Sequence, residues 1–429
     1  MRLSQGATDS VFFEPWDGVW SVLAIDPDST REWRFEAGLG ARPKFRTASM
    51  WSELTELVHT EVDEDLSGWP TELGDPPAFR GGLAGTLGYG ARLSIEHLPD
   101  RWASDRSLPH ARLSRFPSVV AHHGPTGRWF VFGDTRVSAD WLARLATPVA
   151  EPTARLVGGM SAEMSDTAYA TMVAAVREAI AAGDIFQANV ARRWTGEVEG
   201  DPLAVYPRIR AINPSPWGCV HRSRDWSVMS NSPELLLRIR DGRAETRPIA
   251  GTHPRGSGAE DEDLRQKLSA SLKERAEHLM LLDLARNDLG RFCRAGSVSV
   301  PRVMGLEAYS HVWHIVSTVV GEMDRGTTAI DGLRAMFPCG TITGAPRIRC
   351  MEIIDALEPV PRGFYTGSTG WISFSGDTEW NVLIRTATAV GRNLTLHAGA
   401  GIVWDSDPAR EAQETWQKAS AWLSALGPP

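Results

Sequence analysis

The sequence predicts a large fold that mixes β-strands with α-helices, and three observations support this prediction. Before residue 150, short apolar runs alternate with Gly and Pro turns, as in "VWSVLAIDP", "GGLAGTLGYG" and "RWFVFGD". The segment "SPELLLRIRDGRAETRPIAG" predicts a hairpin, because its Asp241-Gly242 pair suits a two-residue turn. The segment "SDTAYATMVAAVREAIAAGD" has apolar residues at helical spacing, with a cap at Ser165 or Asp166 and a stop at Gly183.

Length and composition exclude several classes of protein. The chain has 429 residues, a net charge of -8 and a mixed polar and apolar composition, which is typical of a globular protein. The acidic balance argues against a nucleic-acid-binding protein. We find no signal peptide at the N-terminus and no apolar run long enough to span a membrane. Four widely spaced cysteines without a C-x-x-C pair favour reduced thiols, so we expect a cytoplasmic protein.

The middle of the chain places polar side chains on predicted strands and helices. A connector is predicted over 146–166, where Pro and Gly are frequent. A strand over "IFQANVARRW" places Gln187 and Asn189 on one face, which on pattern alone could equally face solvent. A long helical segment follows over "DEDLRQKLSASLKERAEHLMLLDLARNDLGRFC", with Glu274 and Glu277 on one face. A solvated face explains such charges more often than a binding site does.

The C-terminal part predicts two further elements that carry polar groups. The segment "LTLHAGAGIVWDSDPAREAQETWQKASAWL" predicts a strand, a glycine-rich turn and a helix capped by Asp407, with Pro408 at its first position. Glu411, Glu414 and Lys418 form one stripe of this helix. Such a stripe could hold a cation and an anionic substrate together, although a surface ion-pair ladder has the same spacing. The segment "GTITGAPRIRCMEIIDALE" predicts a turn and a helix without a Walker loop.

Together these segments resemble the chorismate-utilising enzymes, which include anthranilate synthase component I, aminodeoxychorismate synthase component I, isochorismate synthase and salicylate synthase. The resemblance lies in long motifs in the family's order, among them "GDIFQANVARRW", "KERAEHLMLLDLARNDLGRFC", "HVWHIVSTVVGEM", "MFPCGTITGAPRIRCMEIIDALEPVPRGFYTGSTGW" and "AGAGIVWDSDPAREAQETWQKAS". It implies an α+β fold whose antiparallel sheets pack as a sandwich-like core with helices outside. It also implies an N-terminal region of the anthranilate synthase component I type over 1–150 and a chorismate-binding catalytic region over 160–429.

The resemblance further implies that the protein binds chorismate, a dianion, together with Mg²⁺. Glu277, Glu411 and Glu414 are then expected to be Mg²⁺ ligands or their water-bridged partners, because carboxylate oxygens suit a hard cation that keeps some of its waters. The residues expected to hold the enolpyruvyl side of the substrate, including backbone donors of the glycine-rich turn, are Arg385, Tyr365, Lys418, Gly399 and Gly401.

Two residues resemble the groups that move or position protons in this family. Glu234 in "SPE" resembles the general acid that protonates the departing ring hydroxyl. A carboxylic acid can do this near neutral pH only if burial or a neighbouring anion raises its pKa. His314 in "WHIVS" resembles a histidine beside the reacting ring, and we expect it to position a group or to transfer a proton. A hydrogen-bonded core histidine is the alternative.

Gln187 indicates the nucleophile. Water-using members of the family have a lysine at this position, which serves as the base that activates water. A glutamine cannot accept a proton, so the resemblance favours ammonia, which needs no such base. Aminating members usually receive ammonia from a glutaminase, and we recognise no glutaminase region in the chain. A separate glutamine amidotransferase subunit is therefore expected as a partner.

Ala250, in "RPIAGTHPRG", bears on the product. Anthranilate synthases resemble the chain here, whereas many aminodeoxychorismate synthases carry a lysine that adds covalently to the ring. Asn189, "EWNVLIRT", "GGLAGTLGYG" and the lack of an "LLES"-type tryptophan-feedback element instead resemble aminodeoxychorismate synthases. We therefore expect 4-amino-4-deoxychorismate, for p-aminobenzoate and folate synthesis, formed without a covalent lysine through a 2-amino intermediate, with Thr252 near the ring hydroxyl. Anthranilate is the alternative product, and an inactive chorismate-binding homologue is the alternative of another class.

Overall fold

The computed structural model consists of two antiparallel β-sheets with helices around them. One sheet (sheet 1) has 11 strands and the other (sheet 2) has 10. The predicted α+β fold with antiparallel sheets is confirmed. The residues that the structure describes are 9–14, 18–34, 47–58, 69–99, 101–102, 107–134, 140–141, 143–144, 150–256, 258–309 and 312–427.

The strands in chain order are β1 (Asp9–Phe13), β2 (Trp20–Ile25), β3 (Ser29–Trp33), β4 (Gly82–Leu87), β5 (Ala111–Phe116), β6 (Val119–His123), β7 (Arg128–Phe132), β8 (Ala154–Ala162), β9 (Gln187–Gly200), β10 (Trp217–Ser223), β11 (Trp226–Ser232), β12 (Leu235–Arg240), β13 (Arg243–Arg247), β14 (Ile249–Pro254), β15 (Ser299–Ala308), β16 (Val312–Glu322), β17 (Gly344–Ala345), β18 (Ser368–Ser373), β19 (Thr378–Asn381), β20 (Thr386–Val390) and β21 (Asn393–Ile402). The helices are α1 (Thr47–Val58), α2 (Asp166–Ala181), α3 (Tyr206–Ile212), α4 (Ala259–Ala270), α5 (Leu272–Gly290), α6 (Ala329–Met336), α7 (Arg347–Leu357) and α8 (Pro408–Leu426).

Both sheets combine strands from the two ends of the chain. Sheet 1 has the order β17-β9-β21-β20-β11-β10-β1-β2-β6-β7, with β8 also pairing with β9. Sheet 2 has the order β14-β16-β13-β12-β19-β18-β4-β5-β3, with β15 also pairing with β16. Strand β1 pairs with β10, and β4 pairs with β18. The region predicted over 1–150 therefore extends both sheets of the rest of the chain.

The two sheets pack face to face through apolar side chains. Val11 and Val22 of sheet 1 share a buried cluster with Ala84 and Trp371 of sheet 2. Phe79 stacks on Trp371, with ring centroids 5.1 Å apart. Each fully buried side chain of this size contributes roughly 1.5–3 kcal/mol to stability. Helices cover the outer faces, and none of the described ones combines the length and apolar character needed to cross a membrane.

Local signals are confirmed where they depend on neighbouring residues alone. Asp241 and Gly242 join β12 to β13 with φ angles of 50° and 74°, as a primed two-residue turn requires. Ser165 caps α2 by accepting a hydrogen bond from the backbone of Ala168. Asp407 caps α8 in the same way, by accepting from the backbone of Arg410.

Two predicted segments differ from the structure. The predicted connector over 146–166 contains strand β8, whose pairing with β9 is interrupted by a bulge between Val157 and Ser161. The two glycines that suggested a loop occupy this bulge with positive φ angles. The predicted long helix is broken at Ser271, whose backbone is extended and whose side chain accepts from the backbone of Glu274 to begin α5.

Candidate active site

A cavity of about 740 Å³ lies where the ends of β9 and β21 meet strands β14 and β16 and helices α5 and α8. It brings together almost all residues that the sequence predicts for the site. The predicted residues that line it are Gln187, Glu234, Ala250, Glu277, His314, Tyr365, Arg385, Gly399, Gly401, Glu411, Glu414 and Lys418. Thr252 lies in β14, where its backbone pairs with His314, and its side chain lies outside the described part of the structure.

The floor of the cavity consists of β9 and β21. Gln187 and Asn189 lie on the cavity side of β9 and are buried, which decides against the solvent-facing alternative. Gly399 and Gly401 lie within β21, so the predicted glycine-rich turn is wrong. A Cβ at Gly401 would lie 2.5 Å from Gln187 Nε2, and a Cβ at Gly399 would lie 2.8 Å from Asn189 Oδ1. Both positions therefore require glycine, because a larger side chain would overlap these amide side chains.

Lys418 lies at the edge of this floor. Its Nζ donates a hydrogen bond to the Gly399 carbonyl at 2.9 Å.

We expect the substitution Gly401→Ala to lower activity about tenfold or more without unfolding the protein. The methyl group would displace Gln187, whose Nε2 donates to Glu277 Oε1 at 3.1 Å. The comparison is with Gly290→Ala, because a Cβ at Gly290 has no neighbour within 4 Å. Rates of chorismate consumption and melting temperatures of both variants test this, and equal rates would show that the position of Gln187 is not critical.

Glu234 is a buried carboxylic acid between β11 and β12. Its Oε1 accepts a hydrogen bond from Thr341 Oγ1 at 2.7 Å. Burial raises the pKa of Glu234 to about 7, against the opposing effects of Thr341, Arg385 and Lys418. This is the condition that the predicted general acid has to meet, since a group with an ordinary carboxyl pKa would be ionised at neutral pH. Thr341 was not among the predicted site residues.

His314 is neutral in this environment. Its pKa is lowered to about 3, first by burial and then by the charges of Arg385 and Lys418. Nδ1 lies 2.9 Å from the Gly251 carbonyl and must donate to it, so Nε2 carries the lone pair. Arg385 donates to this Nε2 at 3.4 Å. His314 thus connects the backbone of β14 to the guanidinium of Arg385.

The backbone of Arg385 is held in an unusual conformation. Its φ angle is 49°, a left-handed value that non-glycine residues rarely adopt. Trp422 of α8 donates from Nε1 to the Arg385 carbonyl at 2.7 Å, and the backbone of Asn231 donates to it at 3.1 Å. These contacts fix the direction in which the guanidinium enters the cavity. Burial lowers the pKa of Arg385, whereas Tyr309 and Glu234 oppose this effect.

Carboxylates from two helices face the same end of the cavity. Glu274 and Glu277 come from α5, and Glu411 and Glu414 come from α8. Burial raises the pKa of Glu277 to about 7, and the charges of Glu274 and Glu414 raise it further. Burial and Glu414 also raise the pKa of Glu411, although Ser406 and two lysines oppose them. The like charges repel one another, so a cation at this end would stabilise the ionised forms.

The carboxylates at this end of the cavity could bind Mg²⁺ if water and an anionic ligand complete its coordination. The four carboxylates at this end offer oxygen ligands, which Mg²⁺ prefers, although Lys418 already pairs with Glu414 at 2.7 Å. Among the described residues, no group of three or more His, Cys, Asp or Glu is close enough to enclose a metal ion. Glu277, Glu411 and Glu414 could therefore hold Mg²⁺ through one or two carboxylates, with other positions left for water and an anionic ligand.

We expect Glu277→Gln to stabilise the metal-free protein at about pH 8. Because the folded pKa of about 7 lies above the ordinary value of 4.5, folding favours the protonated form of Glu277. Ionised Glu277 therefore lowers the free energy of unfolding. This destabilisation is absent below about pH 4.5, grows between about pH 4.5 and 7, and reaches its full size above about pH 7. After discounting for partial exposure to water, we expect a gain of about 1–2 kcal/mol. Thermal unfolding with a chelator present measures this.

The matched control is Glu178→Gln, which changes an exposed carboxylate on α2. We expect it to leave the melting temperature unchanged at every pH. Added Mg²⁺ should raise the melting temperature of the unmodified protein more than that of Glu277→Gln. An equal rise in both proteins would remove Glu277 from the expected metal ligands.

Ala250 is a buried residue of β14 and contributes only a methyl group to the cavity wall. It pairs with Ile315, and the pairing of β14 with β16 shifts register between Ala250 and Thr252. Gly251 at this shift has a φ angle of 62° and presents its carbonyl to His314. A left-handed residue is required where the strand bulges, which explains the glycine.

A second and wider cavity of about 1170 Å³ lies elsewhere in the fold. It is lined by Phe12 and Glu14, together with residues of α3, β13 and β15. None of the predicted site residues lines it. The chemistry expected from the sequence is therefore confined to the smaller cavity.

Several residues of the smaller cavity were not singled out by the sequence. Lys273, Thr341 and His397 line it, and Trp422 supports Arg385 from α8. No spacing pattern marks them, because each reaches the cavity from a different element. Only the segment "GTITGAP" around Thr341 carried a signal, as a turn before a helix.

The sandwich of antiparallel sheets and the acid-lined cavity are features of a class of enzymes, and comparison with known proteins identifies that class. The family described as chorismate binding enzyme matches residues 22–424, and the chain therefore belongs to this family of chorismate-utilising enzymes. The chain is 40% identical to aminodeoxychorismate synthase component 1 of Bacillus subtilis, over 82% of this chain and 78% of the relative. It is 38% identical to anthranilate synthase component 1 of Cereibacter sphaeroides, over 94% of this chain and 83% of the relative.

A solved structure supports the same conclusion. Anthranilate synthase component I from Streptococcus pneumoniae TIGR4 superposes with a TM-score of 0.80 at 29% sequence identity. The match covers 94% of this chain and 92% of that structure. The resemblance identified from the sequence is thus confirmed at the level of the family.

Proposed function

We propose that the protein catalyses the Mg²⁺-dependent amination of chorismate to 4-amino-4-deoxychorismate, with ammonia supplied by a glutamine amidotransferase subunit. The observation that carries the amination is that Gln187 lines the same cavity as a protonatable Glu234. A buried amide held by Glu277 at 3.1 Å cannot activate water, whereas ammonia arrives as a competent nucleophile. The cytoplasmic location expected from the cysteines agrees with a small-molecule biosynthetic role.

The departure of the ring hydroxyl needs an acid. Glu234 protonates the hydroxyl at carbon 4, which leaves as water while ammonia attacks carbon 2 and both ring double bonds shift towards carbon 4. Glu234 has its proton at neutral pH because burial raises its pKa to about 7. Thr341 keeps the carboxyl oriented by donating to Oε1. Thr252 lies on the strand next to this region and is expected near the same hydroxyl.

Positively charged and aromatic groups hold the substrate in this proposal. Arg385, Lys418 and Tyr365 bind the enolpyruvyl side, and neutral His314 positions Arg385 rather than giving up a proton. Mg²⁺, held through one or two of the carboxylates of Glu277, Glu411 and Glu414, would neutralise the ring carboxylate.

The final product follows from a second displacement. A second ammonia attacks carbon 4, both ring double bonds shift back, and the first amine leaves carbon 2 as ammonia. Over the two steps the ring gains one amino group and loses one hydroxyl as water. Ala250 leaves space in the wall for the departing amine, where a lysine would instead add to the ring. Asn189 in the cavity floor supports this product, because it resembles aminodeoxychorismate synthases. The similarity to the Bacillus subtilis relative of that name supports it further.

Anthranilate synthesis is the second candidate, and Ala250 is the observation that favours it. Anthranilate synthases resemble the chain at this position, and the Cereibacter sphaeroides relative has that name. In this reaction the 2-amino intermediate loses pyruvate instead of meeting a second ammonia.

A product assay separates the two candidates. The purified chain is incubated with chorismate, Mg²⁺ and an ammonium salt, with and without aminodeoxychorismate lyase, and the products are identified by chromatography with mass detection. p-Aminobenzoate that forms only with the lyase supports our proposal. Anthranilate without the lyase supports the second candidate, and no consumption of chorismate supports an inactive binding homologue.

A further inference from the structure

A buried ion pair joins Glu358 and Arg362 in the turn between α7 and β18. Arg362 donates from Nε to Oε2 of Glu358 at 2.9 Å and from Nη2 to Oε1 at 2.7 Å. Only 4% and 3% of the surface of the two residues is exposed. Apolar residues of similar volume often stabilise a protein as well as a buried ion pair does, so the further contacts of this pair indicate its role.

The ion pair fills a gap along one edge of β9. Strand β17 pairs with residues 187–188 of β9, and β8 pairs with residues 194–200. Between them, the backbone N–H of Ala191 donates to the carboxylate at 2.8 Å, and the guanidinium donates from Nη2 to the Asn189 carbonyl at 2.7 Å. The two side chains thus satisfy backbone groups that a neighbouring strand would otherwise satisfy, and they fix the part of β9 that carries Gln187.

The same guanidinium holds the turn that carries Thr341. Nη1 of Arg362 donates to the Ile342 carbonyl at 3.1 Å and to Thr366 Oγ1 at 3.2 Å. Ile342 directly follows Thr341, whose hydroxyl donates to Glu234. Together with the bonds to the carboxylate and to β9, these contacts use all five N–H donors of the guanidinium. A rigid planar fork therefore sets the spacing between β9 and the turn, which the compact ammonium of a lysine cannot reproduce.

We propose that Arg362 is a positioning residue for the general acid: by holding the Ile342 carbonyl, it keeps Thr341 in hydrogen-bond contact with Glu234. The path runs from the guanidinium through the backbone of Ile342 to the hydroxyl of Thr341. The inference rests on the proposed function, in which Glu234 protonates the ring hydroxyl. It adds a residue that the sequence analysis did not single out.

The protonation of Glu234 reports on this contact. The hydrogen bond from Thr341 favours the ionised carboxylate and so lowers the pKa of Glu234, against the larger effect of burial. The charges of Arg385 and Lys418 lower it as well. The Cys339 thiol lies 3.2 Å from Thr341 Oγ1, and burial raises its pKa to about 12, so it stays uncharged. Loss of the guanidinium releases Thr341, and the pKa of Glu234 should therefore rise.

The test is an infrared pH titration of the purified chain. It follows the C=O band of the protonated Glu234 carboxyl, which is identified by its loss in Glu234→Gln. Arg362→Lys keeps a positive charge beside Glu358 but loses the fork of donors, and it should raise the midpoint for Glu234 by about half to one pH unit. In a Thr341→Val background the same substitution should add less than about 0.3 unit, because the contact is already gone. If Arg362→Lys does not fold, Glu358→Gln combined with Arg362→Met removes both charges and should give the same shift.

Arg92→Lys is the matched control, because Arg92 forms a similarly buried ion pair with Asp355 and donates to the Tyr89 carbonyl. It should lower the melting temperature and leave the midpoint for Glu234 unchanged. An unchanged midpoint in Arg362→Lys, an equal shift in the control, or an undiminished shift in the Thr341→Val background overturns the inference, while amination stands. Failure of the unmodified chain to consume chorismate with ammonium overturns the proposed function. The titration needs no turnover, so it still decides whether Arg362 holds Thr341 against Glu234.

Discussion

Replacing Glu234 by Gln should lower kcat for chorismate consumption by about 10²–10⁴-fold, the range for loss of a positioned general acid. The pH dependence should change as well. Because the pKa of Glu234 is raised from 4.5 to about 7, the acid form persists up to about pH 7 and is lost as the pH rises further. The rate per free ammonia should therefore fall above about pH 7 in the unmodified protein, and this decline should be absent in Glu234→Gln.

Two further variants make this test specific. Thr341→Val removes the hydrogen bond that opposes the raised pKa of Glu234, so the alkaline decline should move to higher pH. Glu352→Gln changes a partly exposed carboxylate of α7 that lies outside the cavity and pairs with Arg349, and the rate should not change. A decline that persists unaltered in Glu234→Gln would mean that another group titrates.

Replacing Arg385 by Gln should raise the KM for chorismate roughly 30- to 150-fold, corresponding to about 2–3 kcal/mol for a hydrogen bond to a charged group. The guanidinium is partly buried, and this burial lowers its pKa, so the protein compensates its desolvation only in part. An anionic substrate would complete this compensation. Steady-state kinetics with chorismate varied at saturating ammonium measures the effect.

Arg385→Lys keeps the positive charge and should recover part of the affinity, though not the fixed fork of donors. Arg286→Gln is the control, because this arginine lies on the surface of α5 and pairs with Asp283. A large fall in kcat with an unchanged KM for chorismate would show that Arg385 acts on the chemical step and not on binding.

The sequence alone determined the features that depend on residue type and on close neighbours. The turn at Asp241 and Gly242 and the caps at Ser165 and Asp407 were predicted because a few adjacent residues specify them. The sequence also predicted that position 187 provides no general base, because a glutamine side chain cannot accept a proton in any environment.

The same local reasoning was wrong where distant strands compete with local signals. Glycine marked 146–166 as a connector and 399–401 as a turn, yet both glycine groups lie in strands that pair with β9. At Gly399 and Gly401 the strand needs glycine for close approach by Gln187 and Asn189, which lie more than two hundred positions earlier. A local sequence pattern cannot predict this contact, because the contacting side chains belong to a strand that is distant in sequence.

Only the tertiary structure decided the chemical state of the site. Glu234 and Thr341 are 107 positions apart, and His314 and Arg385 are 71 apart, yet each pair is in hydrogen-bond contact. The raised pKa of Glu234 and the neutral ring of His314 arise from burial, which packing of separate elements creates. The sequence thus determined which groups are available for chemistry, and the fold determined which of them are dry, charged and close enough to act together.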